Sequence, residues 1–401
     1  MRSIEIFAGA AGLGLGLARA GFKHEIVVEK DHDACRTILH NQKLGHELLQ
    51  GWKVLEADVN DVDLGGIAPE PDLLSGGPPC QAFSIGGKHV GAASDRNLWP
   101  TTFAYVRALR PRAFVFENVP GLMQSHGDYL DYITLALTLP DIACPPAEDW
   151  REQASFLRRC VEQKVRSVPT YRVAVKKLTA TDYGTAQNRS RVFIVGIRDD
   201  LTQEWQAPDM THSHDRLMHE KWATGEYWDR HGLERPVMDK AGLAYMRKHN
   251  QRGMEDLFSQ PLRAHRTTRD ALVGLPEPTA EGTPGILDHQ AAPREAKAYK
   301  GHTGSPIDDP SKTLRAGDHG VSGGENMIDL GPLAGTSRYR HFTVREAARI
   351  QDFPDDYTFP QPEGKRGKTC AWSSSLKQLG NAVPCALAQA MGDSIAKVLR
   401  A

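Results

Sequence analysis

Short apolar, β-branched runs alternate with longer amphipathic stretches from residue 1 to about residue 200. The runs predict strands at Ser3–Phe7, Glu25–Val28, Lys53–Ala57, Asp72–Ser75, Ala113–Glu117, Tyr171–Leu178 and Arg191–Ile197. The stretches between them predict helices, among them Leu13–Ala20, Asp31–Asn41 and Leu98–Leu109. This alternation is typical of a doubly wound, mostly parallel α/β sheet, which binds ligands at the carboxyl ends of its strands. The last two strands lie too close for a helical crossover, so we expect an antiparallel hairpin at that edge.

The pattern changes near residue 205. Between Ala207 and Asp329 the sequence is rich in turn-forming residues and has few clean periods, which predicts a loop-rich second domain. A capping-box spacing at Thr343–Glu346 predicts a helix, and Pro384 is expected to start the last one. We therefore predict a first domain over 1–205, completed by 375–401, and a smaller second domain with its hinge over 206–374.

Composition narrows the class of protein without identifying it. The chain has 401 residues, 40% of them hydrophobic, and no apolar run near the ~20 residues that a membrane helix needs. Its six cysteines form no CxxC pair and no zinc spacing, so we expect a cytoplasmic protein that holds no metal. The net charge of −1 gives no indication of a nucleic-acid partner.

A glycine-rich turn, Phe7–Gly12, joins the first strand to the first helix. Glycines let the backbone approach a ligand, and the helix N-terminus presents free N–H groups. The glycines do not follow the dinucleotide-binding spacing, so the turn is either a cofactor loop of another kind or a tight turn used for packing. Glu29 follows the second strand, where an acid commonly accepts ribose hydroxyls; the alternative is an exposed acid at a strand end.

The segment from Gly76 to Ser84 places Cys80 directly after the fourth predicted strand. Most cysteines are inert, small apolar residues. Here two prolines precede the thiol at the ligand-binding edge of the sheet, and they would restrict its angle of approach. This setting makes Cys80 a candidate nucleophile.

Glu117 and Asn118 end the fifth predicted strand at the same edge of the sheet. Burial would favour the protonated form of a carboxyl there and make it a proton donor; the alternative is a cap of the next helix. Arg189 and Arg191 alternate as the chain enters the last strand, which predicts one shared face. They would suit an anion, a carbonyl oxygen or a structural ion pair.

Together these segments resemble the cytosine-5 DNA methyltransferase family, in order and over nearly the whole chain. The resemblance also covers a bracing segment, Arg340–Pro354, and the last motif, Gln378–Pro384. It implies a Rossmann-like S-adenosylmethionine-dependent methyltransferase sheet with a smaller, loop-rich target-recognition domain. The residues expected to hold S-adenosylmethionine, and the product S-adenosylhomocysteine, are Phe7, Ala8, Gly9, Gly12, Glu29, Asp58, Pro79, Leu98, Asn381, Ala382 and Val383.

The implied reaction begins when the Cys80 thiolate adds to carbon 6 of cytosine while Glu117 protonates, or hydrogen-bonds, ring nitrogen 3. Arg189 would contact the cytosine carbonyl or its phosphate, with Arg191 beside it, and Asn118 would order the loop below Glu117. The cytosine must first leave the duplex. DNA contacts are expected from Gln81, Ser84, Arg263, Arg266, Arg269, Lys312, Arg315 and His319, although each could instead be solvated surface charge.

The sequence departs from the family in two places. Ala186 stands where the family usually has proline before Gln187, which reduces the rigidity of that loop. The stretch between Leu137 and Tyr171 is longer than usual and matches no motif.

The resemblance implies double-stranded DNA as partner, no membrane, and a monomer associated with the bacterial nucleoid. Because the chain starts directly at its first strand, we expect the modification enzyme of a restriction-modification system, with a cognate endonuclease encoded nearby. Three alternatives stay open: a transfer-RNA cytosine-5 methyltransferase, a catalytically silent DNA-binding paralogue, and an unrelated thiol enzyme that uses a dinucleotide. The sizeable segment 205–335 argues against the first, and the catalytic set of Cys80, Glu117 and Arg189 argues against the second. The Asn381–Pro384 segment argues against the third.

Overall fold

A computed structural model describes residues 1–79, 97–144, 149–165, 168–251, 261–293, 295–300, 303–316, 326–331, 338–360 and 371–401. Cys80, Gln81, Ser84 and His319 lie outside the described residues. The contacts divide the chain into two compact units. The first is Met1–Leu178, Ser190–Pro208 and Asp355–Ala401, and the second is Thr179–Arg189 and Asp209–Pro354. Two boundaries differ from the prediction. Residues 179–189 belong to the second unit rather than the first, and the segment that returns to the first unit begins at residue 355 rather than 375.

The first unit is built on a seven-stranded sheet whose order is β3-β2-β1-β4-β5-β8-β6. Its strands are β1 (Arg2–Ile6), β2 (Lys23–Glu29), β3 (Lys53–Glu56), β4 (Leu73–Gly76), β5 (Ala113–Asn118), β6 (Tyr171–Thr179) and β8 (Ser190–Arg198). The pairs from β3 to β5 are parallel, and β8 is antiparallel to β5. The order reverses beside β1, which is the place where open α/β sheets bind their ligands. All seven strands lie within a residue or two of their predicted bounds.

The helices of this unit cover both faces of the sheet. They are α1 (Gly12–Arg19), α2 (His32–Lys43), α3 (Trp99–Leu109), α4 (Gly121–Ser125), α5 (Gly127–Thr138), α6 (Trp150–Glu162), α12 (Ala371–Asn381) and α13 (Cys385–Arg400). Ile4 and Ile6 of β1 pack into a core shared with α3, α5 and α6. Glu5 points to the opposite face, because side chains alternate along a strand, and there Gly14 of α1 lies over it. The predicted doubly wound α/β architecture is confirmed.

A polar network lies buried under α1. His24 bridges the Ser3 hydroxyl, at 2.8 Å from Nδ1, and the Glu5 carboxylate, at 2.6 Å from Nε2. Its ring stacks on Trp52 with ring centroids 4.5 Å apart. These contacts explain how a strand in the middle of the sheet can hold a carboxylate, since buried charges require partners.

The second unit consists of short elements, as predicted for a loop-rich domain. Its strands are β7 (Gln187–Asn188), β9 (His212–Ser213), β10 (Arg263–Ala264), β11 (Ser305–Pro306), β12 (Ser311–Lys312), β13 (Met327–Asp329) and β14 (Tyr339–His341). Its helices are α7 (His214–His219), α8 (Glu226–Arg230), α9 (Lys240–Gln251), α10 (Thr268–Leu272) and α11 (Val344–Ile350). Strands β11, β13 and β14 form one small sheet, while β9 pairs with β10 and β7 with β12.

An aromatic cluster forms the core beside α7 and α8. It contains Trp222, Tyr227, Trp228 and Tyr245. Lys221 is buried among three of these rings and donates to Asp309, with Nζ to Oδ1 at 3.0 Å. Ion pairing and the electron-rich ring faces together satisfy this buried ammonium group.

One predicted helix start is confirmed, and the other is displaced by one residue. Thr343 and Glu346 form a reciprocal capping box at α11. Pro384 is the N-cap residue of α13, so the helix itself begins one residue later than predicted. Within the described residues, no helix is long and apolar enough to cross a membrane.

Candidate active site

The register of the sheet brings the carboxyl ends of four strands into line. Ile6 pairs with Val28 on one side and with Gly76 on the other, and Gly76 pairs with Phe116. The residues that follow these positions, Phe7, Glu29, Gly77 and Glu117, therefore lie in one row at the same edge of the sheet. The sequence prediction placed its candidate groups at this edge.

The glycine-rich turn and Glu29 are bonded to each other. The Gly9 N–H donates to Glu29 Oε2 at 2.7 Å, and the N–H groups of Lys30 and Asp31 donate to Oε1 at 2.8 and 2.7 Å. A carboxylate has about four acceptor sites, so one is left for a further donor such as a hydroxyl. Gly9 has a φ of +54°, and a side chain there would meet no atom within 4 Å. Open space above Gly9 and a carboxylate beside it fit an adenosyl cofactor.

Two glycines of α1 that follow the turn, Gly14 and Gly16, serve packing. A Cβ at Gly14 would lie 2.5 Å from Glu5 Oε2, and one at Gly16 would lie 2.5 Å from the Cys385 carbonyl oxygen of α13. Both approaches are too close for any side chain. The unusual glycine spacing therefore combines one open position, Gly9, with two close packing contacts, Gly14 and Gly16, and the cofactor-loop reading of the turn stays a prediction.

Asp58 follows β3 at the same edge. Its Oδ1 accepts from the backbone and side-chain N–H groups of Asn60 at 3.0 and 2.8 Å, and its Oδ2 lies 3.1 Å from Lys30 Nζ. The Asn60 backbone N–H, followed by Lys30, lowers the pKa of Asp58. The carboxylate is thus ionised at neutral pH and suited to accept from an amino group.

Glu117 and Arg191 form the most tightly buried ion pair at this edge. Arg191 Nε lies 2.6 Å from Glu117 Oε1, and each side chain is 11% exposed. Burial lowers the pKa of Arg191, while the Glu117 carboxylate opposes that effect. The structure thus places the predicted buried carboxyl of Glu117 in an ion pair, and its role as a proton donor stays a prediction. Glu117 Oε2 lies 3.4 Å from the position of a Cβ at Gly77, next to the loop that leads to Cys80.

Asn118 connects the same loop to β5. Its Nδ2 donates to the Pro78 carbonyl at 3.1 Å, and its Oδ1 accepts from the Val119 N–H at 2.8 Å. Pro79, half-buried, is the last described residue before Cys80. The geometry is what an ordering role for Asn118 requires.

Arg189 is placed differently from the prediction. Residues 187–188 form β7 and β8 begins at Ser190, so Arg189 lies at a break between two strands. Its N–H donates to the Gln187 carbonyl, two residues back, at 3.0 Å. The alternation that was to place Arg189 and Arg191 on one face does not cross this break. Arg189 is buried in the second unit, where its Nη1 donates to the Leu314 carbonyl at 3.1 Å.

The remaining predicted cofactor residues lie at helix ends of the first unit, at the start of α3 and between α12 and α13. Leu98 is half-buried at the N-cap of α3. Asn381 is exposed at the end of α12, and Ala382 and Val383 are buried before α13. Helix α13 packs against α1, which begins at the glycine-rich turn.

Ala186, the departure from the family, is fully buried, and its carbonyl accepts from the Ser311 N–H at 2.9 Å.

The predicted DNA-contacting arginines of the second unit fall into two groups. Arg263 and Arg315 are exposed. Arg269 is held by Asp308 through two bonds, Nε to Oδ1 at 2.6 Å and Nη2 to Oδ2 at 3.1 Å. Arg266 lies 3.4 Å from Asp352 Oδ1, and Lys312 donates to the Thr303 hydroxyl at 3.0 Å. The structure thus gives Arg269 a structural partner and leaves the Arg263 and Arg315 side chains at the surface.

Sequence reasoning missed a cavity of about 500 Å³ in the second unit, lined by both polar and apolar groups. Its walls include Trp222 and two bonded pairs, His265 with Asp182 and Lys221 with Asp309, each at 3.0 Å. These residues are far apart in the sequence and belong to no motif, so only the fold reveals them.

In the part of the chain that the structure describes, no three His, Cys, Asp or Glu side chains are grouped as a metal would require.

A doubly wound sheet with a glycine-rich turn at its first strand is typical of proteins that bind a nucleotide cofactor. Comparison with known proteins specifies which one. The model of the C-5 cytosine-specific DNA methylase family matches residues 1–138 and 161–397. The chain therefore belongs to that family: it is a DNA cytosine-5 methyltransferase that uses S-adenosylmethionine. The residues between the two matched segments, 139–160, lie within the long stretch that fitted no motif, and the structure shows there a helix, α6, packed through Trp150 on Tyr129 and Tyr132.

Curated relatives agree with this assignment. The chain is 29% identical to the type II methyltransferase M.PspPI of Psychrobacter sp. (strain TA137) over 99% of its own length and 79% of the relative's. It is 28% identical to the type II methyltransferase M.NgoMIV of Neisseria gonorrhoeae over 99% and 98% of the two chains. Two solved structures share the fold over 98% or more of both chains: the Entamoeba histolytica methyltransferase EhMeth (TM-score 0.55, 13% identity) and the S. pombe Dnmt2 methyltransferase (TM-score 0.52, 16% identity).

Proposed function

We propose that the enzyme methylates carbon 5 of cytosine within one specific sequence of double-stranded DNA, through a covalent adduct with Cys80. The observation that carries this proposal is the buried Glu117–Arg191 pair beside the Gly77–Pro79 loop. Cys80 is the next residue in the sequence after this loop. A nucleophile and an acid–base group side by side are what the activation of cytosine requires.

Carbon 5 of cytosine is a poor nucleophile and becomes reactive only after addition at carbon 6. The Cys80 thiolate forms the bond to carbon 6, and the electron density that this bond releases into the ring is stabilised by proton donation or hydrogen bonding from Glu117 at nitrogen 3. Once carbon 5 has gained its methyl group, loss of the carbon-5 proton to a base breaks the bond between carbon 6 and the Cys80 sulfur, which releases the thiolate and restores the aromatic ring. Arg191 orients Glu117, and its proximity to that carboxylate makes it, rather than Arg189, the arginine we place beside the base.

The first unit would hold S-adenosylmethionine along the row of strand ends. Glu29 would accept a ribose hydroxyl, and Asp58 would accept from the adenine amino group. The turn Phe7–Gly12 would lie along the methionine part, with Asn381–Val383 closing the site. When bound, the cofactor supplies an electrophilic methyl group.

The cytosine has to leave the duplex before it can meet Cys80, at a cost of a few kcal/mol. We propose that the second unit recovers this free energy through contacts to the DNA backbone and to bases. Arg263 and Arg315 are the candidates whose side chains lie at the surface. The type II names of the relatives further support a modification enzyme of a restriction-modification system. We propose in addition that the enzyme is cytoplasmic, monomeric and paired with a cognate endonuclease.

The proposal is tested by transfer of radiolabelled methyl from S-adenosylmethionine to mixed-sequence duplex DNA and to transfer RNA, with wild type and Cys80→Ser compared. We expect label in DNA, recovered as 5-methylcytosine after digestion, and none with Cys80→Ser. Sequencing of the methylated DNA would give the recognition site.

Each other outcome points to one alternative. Label in transfer RNA alone would keep the chemistry and overturn the substrate. Absence of label in both, from a protein that binds S-adenosylhomocysteine, would indicate a silent DNA-binding paralogue. Label in DNA that persists in Cys80→Ser would remove Cys80 as the nucleophile.

A further inference from the structure

The glycine-rich turn is held on one side by Glu29 and on another by a residue from far along the chain. The hydroxyl of Tyr357 donates to the Ala10 carbonyl at 3.0 Å. Tyr357 is completely buried in the first unit, on the segment that returns from the second. No sequence motif that we assigned includes it.

We propose that Tyr357 is a positioning residue for cofactor binding, and that its hydroxyl fixes the turn Phe7–Gly12 in the shape that receives S-adenosylmethionine. The inference rests on the proposed role of that turn as the cofactor loop. It adds a second clamp to the one that Glu29 provides through Gly9.

The turn requires such clamps because its backbone is strained. Phe7 has a φ of +58° and Ala11 one of +65°, in the left-handed region that residues other than glycine rarely adopt. Residues persist in this region only where the surrounding structure holds them. Ala10 lies between Gly9 and Ala11, so a bond to its carbonyl acts at the centre of the strained segment.

Tyr357 can act as a clamp because it is itself held firmly. Asn41 of α2 bonds the next residue twice: Nδ2 donates to the Thr358 carbonyl at 2.7 Å, and Oδ1 accepts from the Thr358 N–H at 2.8 Å. The rings of His46 and Phe359 pack edge-on to Tyr357, with ring centroids 5.6 and 5.7 Å away. Burial raises the pKa of Tyr357 well above its ordinary value, so the hydroxyl remains protonated and stays a donor.

The test compares Tyr357→Phe with Tyr171→Phe. Tyr171 is equally buried in the same unit, and its hydroxyl also donates to a backbone carbonyl, that of Pro111, at 2.7 Å. Both variants lose one buried hydrogen bond, but only Tyr357 touches the cofactor loop. Binding of S-adenosylhomocysteine is measured by calorimetry, and KM and kcat are measured with S-adenosylmethionine as the varied substrate.

We expect Tyr357→Phe to raise the Kd and the KM for the cofactor about three- to tenfold, the range that one hydrogen bond supplies, with kcat at saturation near that of wild type. Tyr171→Phe should lower thermal stability to a similar extent and leave both constants unchanged. Asn41→Ala, which loosens the segment without touching the loop, should raise the KM in the same direction and supplies the test if Tyr357→Phe does not fold.

Equal cofactor constants for Tyr357→Phe and Tyr171→Phe would overturn the inference and leave the proposed function intact. An increase in KM that appears in both variants would also overturn the inference and leave the proposed function intact, since it would be an effect of stability alone. A wild-type protein that fails to bind S-adenosylhomocysteine would contradict the cofactor site itself, and the inference with it.

Discussion

At the scale of single residues, the pairing of charges decides which side chains are free to meet a substrate. Arg191 is buried against Glu117, and removal of either partner would leave an uncompensated buried charge, which costs about 3–5 kcal/mol. The same reasoning separates the basic residues of the second unit. Arg269 has a bidentate carboxylate partner, whereas the Arg263 side chain is exposed. We therefore expect Arg263, but not Arg269, to contact DNA.

Substitution of these two arginines should have opposite consequences. Arg263→Gln should weaken DNA binding at low salt and reduce the slope of log K against log salt by about 1, the loss of one phosphate contact, with little change in stability. Arg269→Gln should leave that slope unchanged and lower the free energy of unfolding by about 1–3 kcal/mol, because Asp308 loses its charged partner. DNA affinity is measured across a salt series, and stability by urea unfolding.

A reduced salt slope in Arg269→Gln, with unchanged stability, would contradict this assignment. So would an Arg263→Gln protein that binds DNA with the slope of wild type. The two variants serve as each other's control, because both replace an arginine of the second unit by the same neutral residue.

Residue by residue, the sequence predicted positions at strand ends better than partners. Glu29 and Glu117 fall where the pattern placed them, because each follows directly on a strong strand signal. The ion-pair partner of Glu117 could not be predicted. Arg189 lies between β7 and β8 and Arg191 lies within β8, and no residue pattern indicates this interruption of the strand. The cavity groups Asp182, His265 and Lys221 could not be found, because tertiary contacts alone bring them together.

At the scale of elements, the close approach of α1 and α13 depends on a glycine. A Cβ at Gly16 would lie 2.5 Å from the Cys385 carbonyl oxygen and 2.7 Å from the Gln389 nitrogen, both backbone atoms that cannot yield easily. In an isolated helix, alanine in place of glycine stabilises by about 1 kcal/mol. Here the steric conflict should dominate.

Gly16→Ala should therefore destabilise the enzyme, by about 1–3 kcal/mol or more, and disturb the proposed cofactor loop from which α1 begins. Gly127→Ala is the matched control, because a Cβ at that helix position would meet no atom within 4 Å. Stability is measured by thermal unfolding with and without S-adenosylhomocysteine. A Gly16→Ala protein as stable as Gly127→Ala would show that the two helices are not in the contact described here.

The elements of the first unit were predictable because its strands are short apolar runs with helical periods between them. Helix α6 was not predicted, since it occupies a stretch that matches no family motif, although its polar and apolar residues fit a helix packed on α5. The strands of the second unit have two or three residues each, too few for any period to emerge. Their pairing arises from contacts between distant parts of the chain.

At the scale of the whole molecule, the protonation of buried histidines makes the free energy of unfolding depend on pH. Burial, with Arg263, His265 and Arg266 nearby, lowers the pKa of His212 from 6.5 to about 4, against the opposing effect of Asp182. Burial also lowers the pKa of His214 and of His46. A histidine whose pKa is lower in the folded state stabilises the fold above pH 6.5, and this contribution is lost as the pH falls from 6.5 towards 4.

We expect the free energy of unfolding to fall between pH 7 and pH 5, with His212 contributing up to roughly 3 kcal/mol to the total change down to pH 4. His212→Gln should flatten the pH dependence, whatever its effect at pH 7, because glutamine does not titrate. His32→Gln, a substitution of an exposed histidine, is the control. Urea unfolding at several pH values gives the slope, and the same slope in His212→Gln and wild type would contradict the prediction.

The central claim is that this family member methylates DNA through a covalent bond between Cys80 and carbon 6 of cytosine. The most direct measurement uses duplex DNA in which 5-fluorocytosine replaces cytosine. Fluorine cannot leave as the carbon-5 proton does, so the adduct persists after methyl transfer. With S-adenosylmethionine present, we predict a protein–DNA complex that survives denaturing electrophoresis and is absent with Cys80→Ser. The same complex formed by Cys80→Ser, or no complex from a wild-type protein that methylates normal DNA, would contradict the account.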